Sequence, residues 1–351
     1  MRPIRTTSRP FLAASALTLA TVDSASAHEA WLLTPSEIET LATAPMPGLF
    51  TSHTALGVAA CTACLIIFAA MRAEDQLQPL EDRLITPRAG ALLDYGPVVL
   101  RLGLAIMLGL AALGGLPRHG TPHWTEPTLL VPDMQLALVS GADWLVPAQL
   151  CIAVFLLAGL GTRALGGIVV VLSVLGLFTF GPVFLSYTPH FAAPGFILLL
   201  TGGGAWSGDR SLGLDHPFPI PTYATWRAAQ VLTGVGFIYL AVAYKLFQPT
   251  LLIAILQHGE FPTFGLPYPV VALIMTGVEI ICGILLALGR LVRPVALTIT
   301  AAITFLALVL GETPLFHANL YGCMVMFALV GRSYVPSTAA PRAFGLRRSQ
   351  A

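Results

Sequence analysis

Residues 268–293 read YPVVALIMTGVEIICGILLALGRLVR, and this stretch decides the fold. Residues 268–289 are apolar apart from a single carboxylate, Glu279, and they are long enough to cross a bilayer as a helix, which needs about 20 residues. Arg290 and Arg293 then mark a short basic turn, and another apolar run follows at once. The stretch therefore predicts two membrane helices joined by a tight turn on the cytoplasmic side.

The composition of the whole chain extends this prediction. The 351 residues are 56% hydrophobic and only 10% charged, whereas soluble domains carry about 25% charged residues. The apolar runs are continuous rather than alternating, which favours helices over the strands of a membrane barrel. Basic residues are scattered over short loops, so a nucleic-acid partner is excluded and the lipid bilayer is the expected surrounding.

Nine spans are predicted in an all-α membrane protein. They lie at residues 50–71, 97–116, 146–161, 165–183, 189–206, 226–247, 268–289, 293–311 and 315–332.

Loop charges predict the orientation of these spans. With the mature N-terminus outside, thirteen basic residues fall on the inner side and only Arg118 and Lys245 remain outside. Seven of the eight histidines fall on the outer side, and His216 is the exception. This positive-inside bias predicts a multi-pass protein of the bacterial inner membrane with its C-terminus in the cytoplasm.

The N-terminus resembles a secretory signal. Residues 1–27 combine a basic start, a short apolar stretch at Phe11–Val22 and a small-residue cleavage pattern that ends at Ala27. Cleavage there makes His28 the first residue of the mature chain, and an uncleaved signal anchor is the alternative.

The chain also repeats itself. Residues 97–206 and 226–332 each contain four predicted spans in the same rhythm, with a short basic inner turn between the second and third spans and a histidine, His190 or His317, at the start of the fourth. An even number of spans per unit predicts parallel repeats. The predicted organisation is a signal peptide 1–27, a periplasmic segment 28–49, an extra span 50–71, a cytoplasmic loop 72–96, a first repeat 97–206, a cytoplasmic linker 207–225, a second repeat 226–332 and a cytoplasmic tail 333–351.

A family resemblance rests on the second repeat. The carrying motifs are Tyr244-Lys245-Leu246, the helix-embedded Glu279 with its basic inner turn, and the ending Gly311-Glu312…His317-x-x-x-Tyr321-Gly322. This pattern resembles the DoxX-like membrane family, which is related to the small subunit of thiosulfate:quinone oxidoreductase. The resemblance implies tandem four-helix bundles and a redox-associated, quinone-linked role. The first repeat resembles the family only faintly, so any site carried over from it is expected mainly in the second repeat.

Five residues of the second repeat are candidates for that role. Glu279 in a membrane span is costly unless it meets a cavity or a partner, and His317 and Tyr321, four residues apart, are expected on one helix face. These three are candidate proton-handling residues, with Lys245 and Glu312 as candidate cofactor contacts. Because Glu279 is about 15 Å below the outer end of its helix, Lys245 is expected to meet Glu312 rather than Glu279. Purely structural roles are the alternative for all five.

Copper handling is a second functional hypothesis. An N-terminal His28 offers both its amine and its imidazole, and His53 could complete a copper site. His119 and His123 lie in a proline-rich loop and are weaker ligand candidates. A third hypothesis is a non-catalytic scaffold or permease-like partner of a periplasmic redox or metal protein.

Overall fold

The computed structural model describes residues 33–116, 126–131, 134–214 and 222–332, and this part of the chain is helical, without a β-strand. The all-α prediction is therefore confirmed. The helices are α1 (Pro35–Ala42), α2 (Gly48–Thr51), α3 (His53–Leu84), α4 (Thr86–Leu92), α5 (Gly96–Leu113), α6 (Leu145–Ala158), α7 (Thr162–Phe180), α8 (Thr188–Thr201), α9 (Gly208–Ser211), α10 (Tyr223–Leu240), α11 (Pro249–His258), α12 (Tyr268–Leu288), α13 (Val292–Val309) and α14 (Ala318–Val330).

Six helical stretches in the described residues are long and apolar enough to cross a membrane. They are His53–Leu84, Thr86–Leu113, Thr162–Phe180, Tyr223–Leu246, Tyr268–Leu288 and Val292–Val309. Each of the other predicted spans, at residues 146–161, 189–206 and 315–332, coincides with a shorter helix. The chain is therefore built as a multi-pass membrane protein, and lipid is its natural surrounding.

Two helical segments differ from the sequence predictions. Helix α3 continues through residues expected to be a cytoplasmic loop and ends at Leu84, and α4 follows it directly. Helix α11 occupies part of what was expected to be an outer loop. Its apolar side chains explain this, because Leu251, Leu252 and Leu256 are buried against neighbouring helices.

Glycines allow the central helices to approach closely. Gly234 of α10 faces Gly283 of α12, so that a Cβ on Gly283 would lie 2.8 Å from the Gly234 carbonyl oxygen. Gly103 of α5 abuts the backbone of α14 at Ala318 so tightly that an added Cβ would overlap it. Small residues at helix crossings of this kind are typical of membrane bundles.

Arginines tie the helix ends together at one end of the bundle. Arg101 of α5 donates to the carbonyl of Leu156 at 2.7 Å, near the end of α6, and Arg227 of α10 donates to Ala287 of α12 at 2.6 Å. Arg163 and Arg293 do the same for the last carbonyls of α8 and α14. Cationic side chains satisfy the unpaired carbonyls at helix C-termini and interact favourably with the helix dipole.

Helix α3 is bound to the basic turn between α12 and α13. Glu74 accepts a hydrogen bond from Arg290 at 2.8 Å and another from the backbone N–H of Leu291 at 3.0 Å. Glu81 forms an ion pair with Arg293. The hydrogen bond to Glu74 also raises the pKa of Arg290. The turn between α12 and α13 thus holds α3 against the bundle.

Candidate functional site

A cavity of about 150 Å³ lies at the end of the bundle opposite the arginine ties. It is bounded by α8 and by the helices from α10 to the start of α14, with smaller contributions from α5. Its walls combine apolar and aromatic side chains with a small set of ionisable ones, a composition typical of ligand sites. The polar lining residues are Tyr187, His190, Tyr244, Lys245, Glu279, Glu312, His317 and Asn319.

Lys245 and Glu279 form an ion pair inside this cavity, with 2.6 Å between Nζ and Oε2. Their side chains are only 17% and 18% exposed. The expectation that Lys245 would meet Glu312 instead of Glu279 was therefore wrong. The pair places the single lysine of the chain within the protein, in contact with a carboxylate of the α12 span.

The direction of side chains on helices explains this pair. In a helix every Cα–Cβ bond leans toward the N-terminus of that helix, and α10 and α12 run antiparallel. Lys245 therefore leans back into the bundle. Glu279 leans toward the N-terminus of α12, which is the end near Lys245, so that the two side chains approach each other. The end of α10 is also π-helical from Ala241 to Leu246, which changes the face on which Lys245 lies. The distance of Glu279 from the end of α12 reflects neither effect, so it could not predict the pair.

His317 and Glu312 make a second ionisable contact in the cavity wall. Nε2 of His317 lies 3.6 Å from Oε2 of Glu312, and the two side chains are 16% and 12% exposed. The turn Pro314–His317 is a 3₁₀ segment that precedes α14, and it returns His317 toward Glu312. Four of the five candidate residues of the second repeat thus line one cavity.

Tyr321 is the fifth candidate, and it is not among the cavity-lining residues. Its hydroxyl accepts a hydrogen bond from Thr304 of α13 at 3.0 Å. Because His317 belongs to the 3₁₀ turn and Tyr321 to α14, the four-residue helical spacing does not relate them as expected. Tyr321 joins α13 to α14, next to the cavity wall formed by Ile303 and Leu320.

His190 is the cavity residue that sequence reasoning undervalued. It lies near the start of α8 and is 7% exposed. Among the described residues, neither of its ring nitrogens has a hydrogen-bond partner. Its ring packs edge-on against Phe237 of α10 with 5.2 Å between centroids, and its backbone carbonyl accepts from Nδ2 of Asn319 at 3.0 Å.

Most of the residues that line the cavity lie in the second repeat, and the first repeat also contributes to the site. Tyr187, His190 and Phe191 of the α8 region line the cavity, as does Met107 of α5. The signal in the sequence was the matched position of His190 and His317. What it could not show is that α8 packs against both α10 and α14, which brings the two positions to one cavity.

The predicted copper residues are placed apart from this cavity or lie outside the described residues. His53 is the first residue of α3, and it is exposed. His28, His119 and His123 lie outside the described residues. Within the part of the chain that is described, no three His, Cys, Asp or Glu side chains are grouped as a metal site requires. Copper binding through His28 stays a prediction.

Fold and site together define a class: a multi-pass helical membrane protein with an apolar cavity that holds ionisable side chains. Comparison of the chain with family models, with curated proteins and with solved structures finds no match.

The chemistry available in the cavity follows from its donors and acceptors. An ammonium has three N–H donors, and Glu279 takes one of those of Lys245. A neutral imidazole such as His190 offers one donor and one acceptor. His317 places its imidazole Nε2 3.6 Å from the carboxylate of Glu312. The cavity can therefore hold a small molecule by hydrogen bonds.

Proposed function

We propose that the chain is a DoxX-like, redox-associated subunit of the bacterial inner membrane that binds a quinone in this cavity. The carrying observation is the cavity itself, since an apolar, partly aromatic space holds the Lys245–Glu279 pair, the His317–Glu312 contact and His190. A quinone headgroup is a small, flat and uncharged ring with carbonyl oxygens, and these oxygens accept hydrogen bonds. The donors of Lys245 and His190 suit such oxygens.

The proposed architecture is one N-terminal span followed by two tandem four-helix bundles, with nine spans in all. The arginine ties support the duplication. Arg101 and Arg163 in the first repeat hold the ends of α6 and α8, and Arg227 and Arg293 hold the ends of α12 and α14. The pattern is the same in both repeats, with the first and third helices supplying the arginine. The packing of α5 on α14 and of α8 on α10 is likewise reciprocal.

The proposed orientation puts the arginine ties in the cytoplasm and the cavity toward the periplasm. It follows from the positive-inside bias of the loops, since the ties include several of the predicted inner arginines. A periplasmic redox protein is then the natural partner, because the cavity lies nearer to the periplasmic surface. That partner would supply the electrons for which the described residues contain no evident carrier.

Proton handling is assigned to residues of this chain. A bound quinone supplies a two-electron, two-proton acceptor. His317 and Glu312 hold and move protons at Nε2 and the facing carboxylate oxygen, which are 3.6 Å apart. Lys245 holds a carbonyl oxygen through a free N–H, and Glu279 keeps that ammonium in place. Tyr321 positions α13 through Thr304 and contributes indirectly.

The test uses cells that lack the gene and are complemented with wild-type or variant protein, so that the native partner is present. The measurement is the ratio of reduced to oxidised quinone in rapidly extracted membranes. Glu279→Gln and His317→Phe should each shift the ratio toward that of the deletion strain. Glu260→Gln is the matched control, because Glu260 is exposed on the same side of the bundle. Wild-type ratios in both cavity variants would overturn the proposal.

A further inference from the structure

The lining of the cavity narrows the kind of molecule that it can hold. A space of about 150 Å³ is comparable to cavities that accept a single benzene ring. Aromatic side chains of Phe191, Phe237 and Phe316 line it, and aromatic side chains prefer offset or edge contacts with other flat rings. The volume and lining of the cavity therefore suit one planar six-membered ring.

The charges of the cavity select against ions. Lys245 is matched by Glu279 at 2.6 Å, and Glu312 faces His317. An anion would meet two carboxylates, and a cation would meet the ammonium of Lys245. Both would also lose hydration on entering an apolar space, which is unfavourable without a matched partner. A neutral ring avoids these costs.

His190 is the cavity residue whose ring nitrogens, unpaired among the described residues, point most directly to such a ligand. Buried polar atoms in folded proteins are nearly always hydrogen-bonded, yet both ring nitrogens of His190 lack a partner among the described residues. The ring is held in place by Phe237 and by the bond from Asn319 to the His190 backbone. It lines the same cavity as Lys245. A fixed, unsatisfied imidazole in a ring-sized cavity is a preformed contact for one polar atom of a ligand.

We propose that His190 forms the hydrogen bond that holds a planar, uncharged ring with an acceptor oxygen in this cavity, which the Lys245–Glu279 pair also lines. This inference rests on the proposed function, because it names the contact and ligand class of the same site. It goes further in assigning the decisive contact to the first repeat. The two histidines that start the fourth helix of each repeat then line one cavity and have different roles in it. His317 faces a carboxylate and handles protons, whereas His190 faces the ligand.

The experiment measures ligand affinity of the purified full chain in nanodiscs by equilibrium dialysis, with empty nanodiscs as the blank. Two probes are used: decylubiquinone, and acetophenone as a flat aromatic ketone without quinone redox chemistry. The variants are His190→Phe, which keeps a ring without nitrogens, and His190→Gln, which restores a donor and an acceptor. His258→Phe is the matched control, because His258 is an exposed histidine at the end of α11.

The expected result is decylubiquinone binding that weakens about tenfold in His190→Phe, equivalent to about 1.4 kcal/mol. His190→Gln should stay within about threefold of wild type, because its amide can replace the imidazole hydrogen bond. His258→Phe should bind as wild type does. His190→Phe should also fold, because an apolar ring replaces a buried imidazole that has no partner in the described residues.

The other outcomes separate the two proposals. Equal quinone affinity in wild type and His190→Phe overturns the role of His190 and leaves the quinone function standing. Acetophenone binding that depends on His190, without quinone binding, supports the ligand contact and overturns the quinone function. Binding of neither probe to the wild-type chain overturns both.

Discussion

Replacing Lys245 by methionine tests the central contact of the cavity. The variant keeps a long apolar side chain and leaves the Glu279 carboxylate without its partner. Removing one member of a fully buried pair costs about 3–5 kcal/mol, because the remaining charge is uncompensated. Here the two side chains retain 17% and 18% exposure. The expected loss is therefore at or below the lower end of that range, about 2–3 kcal/mol.

The double variant Lys245→Met/Glu279→Leu should recover most of this loss. Replacing both members of a buried pair by apolar residues of similar volume is often neutral or stabilising. The measurement is the free energy of unfolding in mixed micelles, titrated with SDS, for wild type, both single variants and the double variant. A coupling energy of about 2 kcal/mol between the two sites is expected from such a cycle.

Asp94→Asn supplies the matched control for an exposed pair. Asp94 lies 3.3 Å from Arg210, with side-chain exposures of 63% and 57%. Solvent screens such a pair, so its loss should change stability by about 0.5 kcal/mol or less. If Lys245→Met lowered the free energy of unfolding no more than Asp94→Asn does, with no coupling to Glu279, then Lys245 would not contact Glu279 inside the protein. The reasoning about the cavity would then be refuted.

Three further predictions concern packing, metal and orientation. Gly103→Ala should cost about 1–3 kcal/mol of stability through overpacking against Ala318, whereas Gly277→Ala, with nothing within 4 Å of its added Cβ, should leave the melting temperature in micelles unchanged; equal melting temperatures would contradict the close helix contact. Metal analysis of signal-processed protein from copper-replete cells should find one copper per chain that is lost in His28→Ala, and metal-free wild-type protein would remove the copper hypothesis. A fluorescent protein fused after Ala351 should fluoresce, and an alkaline phosphatase fused there should be inactive; the reverse pattern would overturn the proposed orientation.

The position of the helices was largely predictable from the sequence, because long apolar runs and short basic turns have few alternative structures in a membrane. The turn after α12 illustrates this. Gly289 adopts φ +65° and Leu291 φ +47°, and the two arginines of the turn bind α3 and the end of α14. The tight turn was predicted, but the contacts of its arginines were not, since they depend on how separate helices pack.

The pairing inside the cavity was less predictable for a physical reason. Helical periodicity gives the face of a residue, but it gives neither the offset between two helices nor the lean of their side chains. Lys245 and Glu279 meet because α10 and α12 are antiparallel and because α10 ends in a π-helical segment. A π-helical end leaves no clear signature in an apolar sequence.

The contribution of the first repeat was hidden for a similar reason. Sequence comparison of the two predicted repeats treats each as a separate bundle, and the first has no lysine or glutamate at the positions that match Lys245 and Glu279. In the structure, α8 packs on α10, so that His190 faces the residues of the second repeat. The apolar run of α11 could have been recognised as a helix, because Leu251–Leu256 is too apolar for a solvated loop.

The most direct test of quinone binding in the cavity is photolabelling with an azido-substituted benzoquinone, followed by mass spectrometric mapping of the labelled peptides. The account predicts that labels on wild-type protein concentrate on α8, α10, α12 and the start of α14, and that excess decylubiquinone competes them away. Labels confined to the lipid-facing surface of α3, or labels that decylubiquinone does not displace, would contradict a quinone site in the cavity.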